Sequence, residues 1–287
     1  MSSLSHSLIL VGPGLCCALL LGCDSEKKPN RARENPEPRH EERRIADKGG
    51  SSSENKIEGL FADESVLRNR VKEAQDSSVA GSKSIQEIID HAIARAAKGD
   101  FDPARKLVPL LNARERFAAM ESLMSVRSGL GTAFDLKNKE TLLDIEGLPE
   151  NLKPFWRQVA ARESSMELDQ LVGDGSIDGL GGEMVAQLFE TYAQSKPKYA
   201  FDLLSRRFEQ GDIAARSVMR ATLSTSPGFA QKALAELPDG AAKDAAIFEL
   251  LRWMLAKGES EHFHVWAEQI KDDATKKNAA KLLEQKR

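Results

Sequence analysis

One segment limits the possible folds more than any other. Between Gly240 and Gly258, Ala246, Leu250, Trp253 and Met254 recur at i, i+4, i+7 and i+8, the spacing of a single helical stripe. Ile247, Leu251 and Leu255 form a second stripe beside it. One partner helix cannot cover so wide an apolar arc. The helix needs a hairpin mate on one flank and the next unit on the other, which predicts a stack of repeated hairpins. Trp253 is then expected to be buried between adjacent hairpins.

The rest of the chain beyond Gly81 carries the punctuation of such a stack. Gly99 ends one helix, and Asp102-Pro103 opens the next as N-cap and first residue. Gly211-Asp212 and Ser226-Pro227 mark further starts, and Gly258 marks a stop. No segment alternates with β-branched or aromatic residues as a strand would. Starts of one helix type fall near Pro103, Lys137, Ser164, Pro197, Pro227 and Ser260, a period of about 30–33 residues. The expected fold class is all-α, an α-solenoid of stacked helical hairpins over residues 84–287. Ala235-Glu236-Leu237-Pro238-Asp239-Gly240, with its weaker counterpart from Ala267 to Asp273, resembles the turn of tetratricopeptide-like and HEAT-like repeats. That resemblance implies a binding scaffold and no shared reaction.

The N-terminus has a different character. Leu8 to Leu21 is an uncharged apolar run, too short for a comfortable span and the right length for a signal-peptide core. All three cysteines, Cys16, Cys17 and Cys23, lie in the first 23 residues, so neither a disulfide framework nor a zinc site is available to the body. The run closes on Leu20-Leu21-Gly22-Cys23, which resembles the lipobox of bacterial lipoproteins. The resemblance implies that residues 1–22 are a cleaved signal peptide and that Cys23 carries a lipid. It places the chain in the cell envelope with the membrane as one partner. Two or three acyl chains anchor stably where one does not.

From Cys23 to residue 56 the chain is rich in Pro, Ser, Gly and charge: Asn35-Pro36-Glu37-Pro38, Glu41-Glu42-Arg43-Arg44, Gly49-Gly50-Ser51. It has almost nothing to bury and is expected to be a disordered tether. A flexible stretch of this length spans roughly 30 Å. Residues 57–83 read as a short helix and a loop. Ile57, Leu60, Phe61, Leu67, Val71 and Ala74 lie near one stripe, with Asp63 as an N-cap.

Few side chains suggest chemistry. Asp174, Ser176 and Asp178 place oxygens at positions 1, 3 and 5 of a loop that resembles the start of an EF-hand, with Gly179 at 6. Position 12, however, is Val185 instead of the bidentate Glu, which leaves a Gly/Asp-rich turn as the plainer reading. Glu163-Ser164 resembles the Glu-Ser pair of lytic transglycosylases, in which a Glu protonates a glycosidic oxygen. The Gly-Leu-Met-Gln that follows in that family is absent, so an exposed helix end is the plainer reading. His262 and His264 would diverge on a helix, and His91 between Glu87 and Arg95 reads as a solvated face. Trp156, Trp253 and Trp266 read as inter-repeat core.

With 41 basic and 44 acidic residues the net charge is −3, so no overall basic field exists for nucleic acid. The expectation is a lipid-anchored, non-enzymatic scaffold that binds a protein or peptide and needs no cofactor or metal. The alternative is a peptidoglycan-acting lytic enzyme using Glu163.

Overall fold

The computed structural model describes residues 57, 59–77, 79–259 and 261–284. The apolar run, Cys23 and the expected tether lie outside these residues. The described residues all belong to one compact unit. The fold is all-α.

Helix α1 (Glu64–Asp76) starts as the sequence predicts. The Asp63 carboxylate accepts the Ser65 N–H at 2.8 Å, and Leu67, Val71 and Ala74 turn inward. Helix α2 (Val79–Ala96) begins earlier than the expected position 84 and takes Gly81 within it. Pairs of a longer and a shorter helix then follow: α2 with α3 (Asp102–Leu107), α4 (Ala113–Ser125) with α5 (Thr132–Leu143), α6 (Lys153–Ser164) with α7 (Leu168–Gly173), α8 (Gly182–Ser195) with α9 (Pro197–Leu204), α10 (Gly211–Thr225) with α11 (Pro227–Glu236), and α12 (Ala241–Lys257) with α13 (Phe263–Ala267). Helix α14 (Asp273–Glu284) closes the series.

Each longer helix packs against the next, from α2 through α4, α6, α8, α10 and α12 to α14. They form one layer, and the shorter helices line its flank as a second. The apolar residues that dock the shorter helices keep one register. Ala104-Leu107-Val108 is followed by Leu168-Leu171-Val172, Ala200-Leu203-Leu204 and Ala230-Ala233-Leu234, all buried. Phe263, Trp266 and Ala267 continue the series, the last two half-buried. The hairpin between the first and second of these sets is the exception described below.

The starts fall close to those the sequence predicts, with physical reasons for the offsets. Pro197 and Pro227 open their helices as expected. The start expected near Lys137 lies at Thr132, because Gly131 with φ +110° breaks the chain there. Phe101, not Asp102, is the N-cap of α3: Asp102 is the first residue of the helix and pairs with Arg105 inside it, and the Asp100 carboxylate accepts the Asp102 N–H at 3.1 Å. Gly99, with φ +88°, makes the preceding turn, and a Cβ there would run into Leu130.

Trp156 is buried, 1% exposed, as the sequence predicts. Trp253 is not fully buried and packs on the core at partial burial. Most apolar residues from Ala96 to Ala279 belong to one continuous core, with a smaller one under α1 and α2.

Where the shorter helices end and the longer ones begin, side chains tie one hairpin to the backbone of the next. Arg116 donates to the Gly147 carbonyl at 2.8 Å. The Glu140 carboxylate accepts the Gly181 N–H at 2.9 Å, and Asp178 accepts the Glu209 N–H at 2.8 Å. Gln210 donates to the Leu180 carbonyl at 2.6 Å. Asp244, buried at 4% exposure, accepts the Lys271 and Asp272 N–H groups at 3.0 and 2.8 Å. Each satisfies backbone groups that helix ends leave open.

Candidate functional site

Two features stand out from the uniform packing. The first is a groove on the shorter-helix layer between α9 and α11, with a cavity of about 430 Å³. Its floor is Phe201, Phe229, Ala233 and Leu237, with the Phe201 and Phe229 rings edge to face at 6.0 Å. Its rims carry Lys198 and Asp202 from one hairpin and Lys232 and Glu236 from the next. An apolar floor with charges of both signs on two rims suits an amphipathic peptide segment.

The second is the polar centre of the second hairpin. In register with Leu107-Val108, Leu171-Val172 and Leu203-Leu204, this hairpin has Lys139 and Glu140. Lys139 is fully buried, and its Nζ has no hydrogen-bond partner. Burial is the main cause that pushes its ammonium down from 10.5 to about 8, because desolvation disfavours the charged form. Asp135, Glu163 and Glu167 oppose that shift and Arg127 adds to it. The same groups are tied together. Arg127 pairs with Glu167 at 2.7 Å and donates to the Glu163 carbonyl, and Thr132 donates to Glu167. Asp135 accepts the Ser128 N–H at 3.0 Å and the Ser128 hydroxyl. Burial likewise raises Glu140, against the hydrogen bond from Gly181. A core that departs from its own repeat rule at one hairpin marks the place where packing has yielded to another requirement.

The residues singled out in the sequence are placed as follows. Cys23 lies outside the described residues. Asp174 closes on the Ser176 N–H at 2.9 Å and on its hydroxyl, which holds the Asp174 carboxyl below its ordinary value. Asp178 reaches the other way, to the Glu209 N–H. The Asp174, Ser176 and Asp178 oxygens are therefore engaged in the turn and in the hairpin joint, and Ile177 between them is buried. Among the described residues no three His, Cys, Asp or Glu side chains are grouped to hold a metal. Glu163 is half-buried, not exposed, on the last turn of α6 beside Lys139. It lines neither this groove nor the cavities at His91, Arg157 or Ala280. His91 is part-buried and stacks on Phe61 at 5.6 Å, so it is not a solvated face. His264 lines an apolar cavity of about 330 Å³ against α14, and His262 is exposed ahead of α13.

Sequence reasoning missed both the groove and the Lys139 centre. The period was visible, and setting the hairpins in register would have exposed the Lys-Glu pair. Among the described residues no helix is long and apolar enough to cross a membrane. Comparison with known proteins finds no match to any family, curated protein or solved structure.

Proposed function

We propose that the chain is a lipid-anchored protein of the bacterial envelope whose hairpin stack is a non-enzymatic scaffold for a protein or peptide partner. The observation that supports it most is the groove between α9 and α11, with its aromatic floor and its oppositely charged rims. The lipobox-like Leu20-Leu21-Gly22-Cys23 supports the anchor. Held through Cys23 and the segment after it, the stack would meet partners at the membrane face, where an effective local concentration favours binding.

Two experiments test the reading separately. Labelled fatty acid should enter the wild type and be absent from Cys23→Ser, which should accumulate as precursor; equal labelling refutes the anchor. A photo-crosslinker placed at Lys232 in intact envelopes should give a discrete adduct that Phe229→Asp abolishes. The same adduct from a crosslinker on the longer-helix layer refutes the groove. No observation favours the glycan-cleaving alternative at Glu163, and purified protein is expected to release no glycan.

A further inference from the structure

The turns from longer to shorter helices adjoin one another along the first four hairpins: Leu130 lies over Gly99, Arg127 and Thr132 reach Glu167, and Asp169 and Tyr199 both lie near Tyr192; hairpins two to four give that edge an unusual surface. Leu130, Met166 and Tyr199 there are 61%, 65% and 61% exposed, and Phe134 stands beside Leu130. Single exposed apolar residues need no explanation, but four on one edge of three successive hairpins do. Basic residues flank them. Arg162, Lys196 and Lys198 make no ion pair with a described residue, and Lys196 lies over the Tyr192 ring at 5.5 Å. Of the nearby acids, Glu167 is engaged by Arg127 and Thr132 and Asp169 by Arg206 at 2.8 Å, which leaves Glu163 and Asp202 against the three cations.

We infer that this edge seats on an anionic lipid surface, with Leu130, Phe134, Met166 and Tyr199 entering the headgroup layer and Arg162, Lys196 and Lys198 meeting lipid phosphates. Apolar and aromatic side chains ringed by Lys and Arg are the composition of interfacial binders. The inference rests on the anchoring reading, because a lipid on Cys23 is what brings a bilayer within reach. Seated in this way, the edge would fix the orientation of the stack and leave the groove between α9 and α11 beside the membrane.

The test uses the chain from Asp24 to Arg287, which keeps every described helix and lacks Cys23 and the apolar run. It is mixed with vesicles of phosphatidylglycerol and phosphatidylcholine in equal parts, or of phosphatidylcholine alone, and floated. Flotation with the anionic vesicles only is expected. Arg162→Gln/Lys196→Gln/Lys198→Gln should weaken it on the order of a hundredfold, and Leu130→Ser/Met166→Ser/Tyr199→Ser should abolish it. Unchanged helical circular dichroism will verify that both variants fold. Absence of flotation, equal flotation with neutral vesicles, or undiminished binding by either variant overturns the inference. Because this chain has no anchor, a failure of Cys23 labelling leaves the result standing, and the reverse holds too. Binding of the edge to a protein while the vesicles stay bare would also overturn it.

Discussion

Replacing Lys139 with methionine is expected to stabilise the protein at neutral pH, and by an amount that shrinks as the pH rises. Lys139 is fully buried, and burial pushes it from 10.5 to about 8. At about 1.4 kcal/mol per tenfold in proton affinity, keeping this ammonium charged in the fold costs about 3 kcal/mol. Methionine removes that cost and matches the apolar residues Leu171 and Leu203 in the same register. Asp135 stays bonded to Ser128, so no orphan carboxylate results. The folded state holds the Lys139 proton less tightly than the unfolded chain. Below about pH 8 both states are protonated and the wild type bears the full cost. Between about 8 and 10.5 the folded state loses its proton first, so wild-type stability rises. The advantage of Lys139→Met, about 1–3 kcal/mol near pH 7, should therefore narrow by about 2 kcal/mol near pH 9.5. Urea unfolding of both proteins at the two pH values measures this, and other titrating groups cancel in the difference. A methionine variant less stable than wild type near pH 7, or a gap that does not change with pH, would refute the reasoning and give Lys139 a bonded structural role.

Trp156→Ala should cost about 3–5 kcal/mol, with amide protection lost first in the second to fourth hairpins, whereas Trp253→Ala should cost less because that side chain is only partly buried; hydrogen exchange on both variants decides. Asp244→Ala should cost about 1–3 kcal/mol by leaving the Lys271 and Asp272 N–H groups without their acceptor, and exchange at those two amides, just ahead of α14, should quicken before that of α14 itself. Asp178→Ala should weaken the joint to Glu209 by about 1 kcal/mol, and the thermal midpoints of wild type and variant should not move on adding calcium.

The helical class and the starts of α9 and α11 were legible because Pro197 and Pro227 are unambiguous first residues. The α1 cap was legible because Asp63 precedes an amphipathic stretch. The second hairpin was blurred because Lys139 and Glu140 stand where every other hairpin has apolar residues, so its stripe reads as a solvated face. Trp253 was misjudged for another reason: its apolar spacing is a local property, but its cover depends on which side chains of other helices pack on that flank. The groove between α9 and α11 could not be read from the sequence at all. Its floor joins Phe201 and Phe229, which are 28 residues apart and occupy different register positions in their hairpins.

The polar ties between neighbouring hairpins give the stack a mechanical character. Pulled between its two ends, such a chain has no single breaking point. Each joint is a small latch of one or two hydrogen bonds in front of one hairpin's worth of apolar packing, and neighbours share load only with neighbours. Tension should therefore strip hairpins one at a time, each yielding about 30 residues and roughly 100 Å of extended chain. The latch at Asp244, doubled and buried, should resist longer than the single bond at Gly147. The hairpin that holds Lys139 should yield early, because there the packing behind the latch is interrupted by a charge. The body would then lengthen in steps under load, like a folding rule with one loose joint.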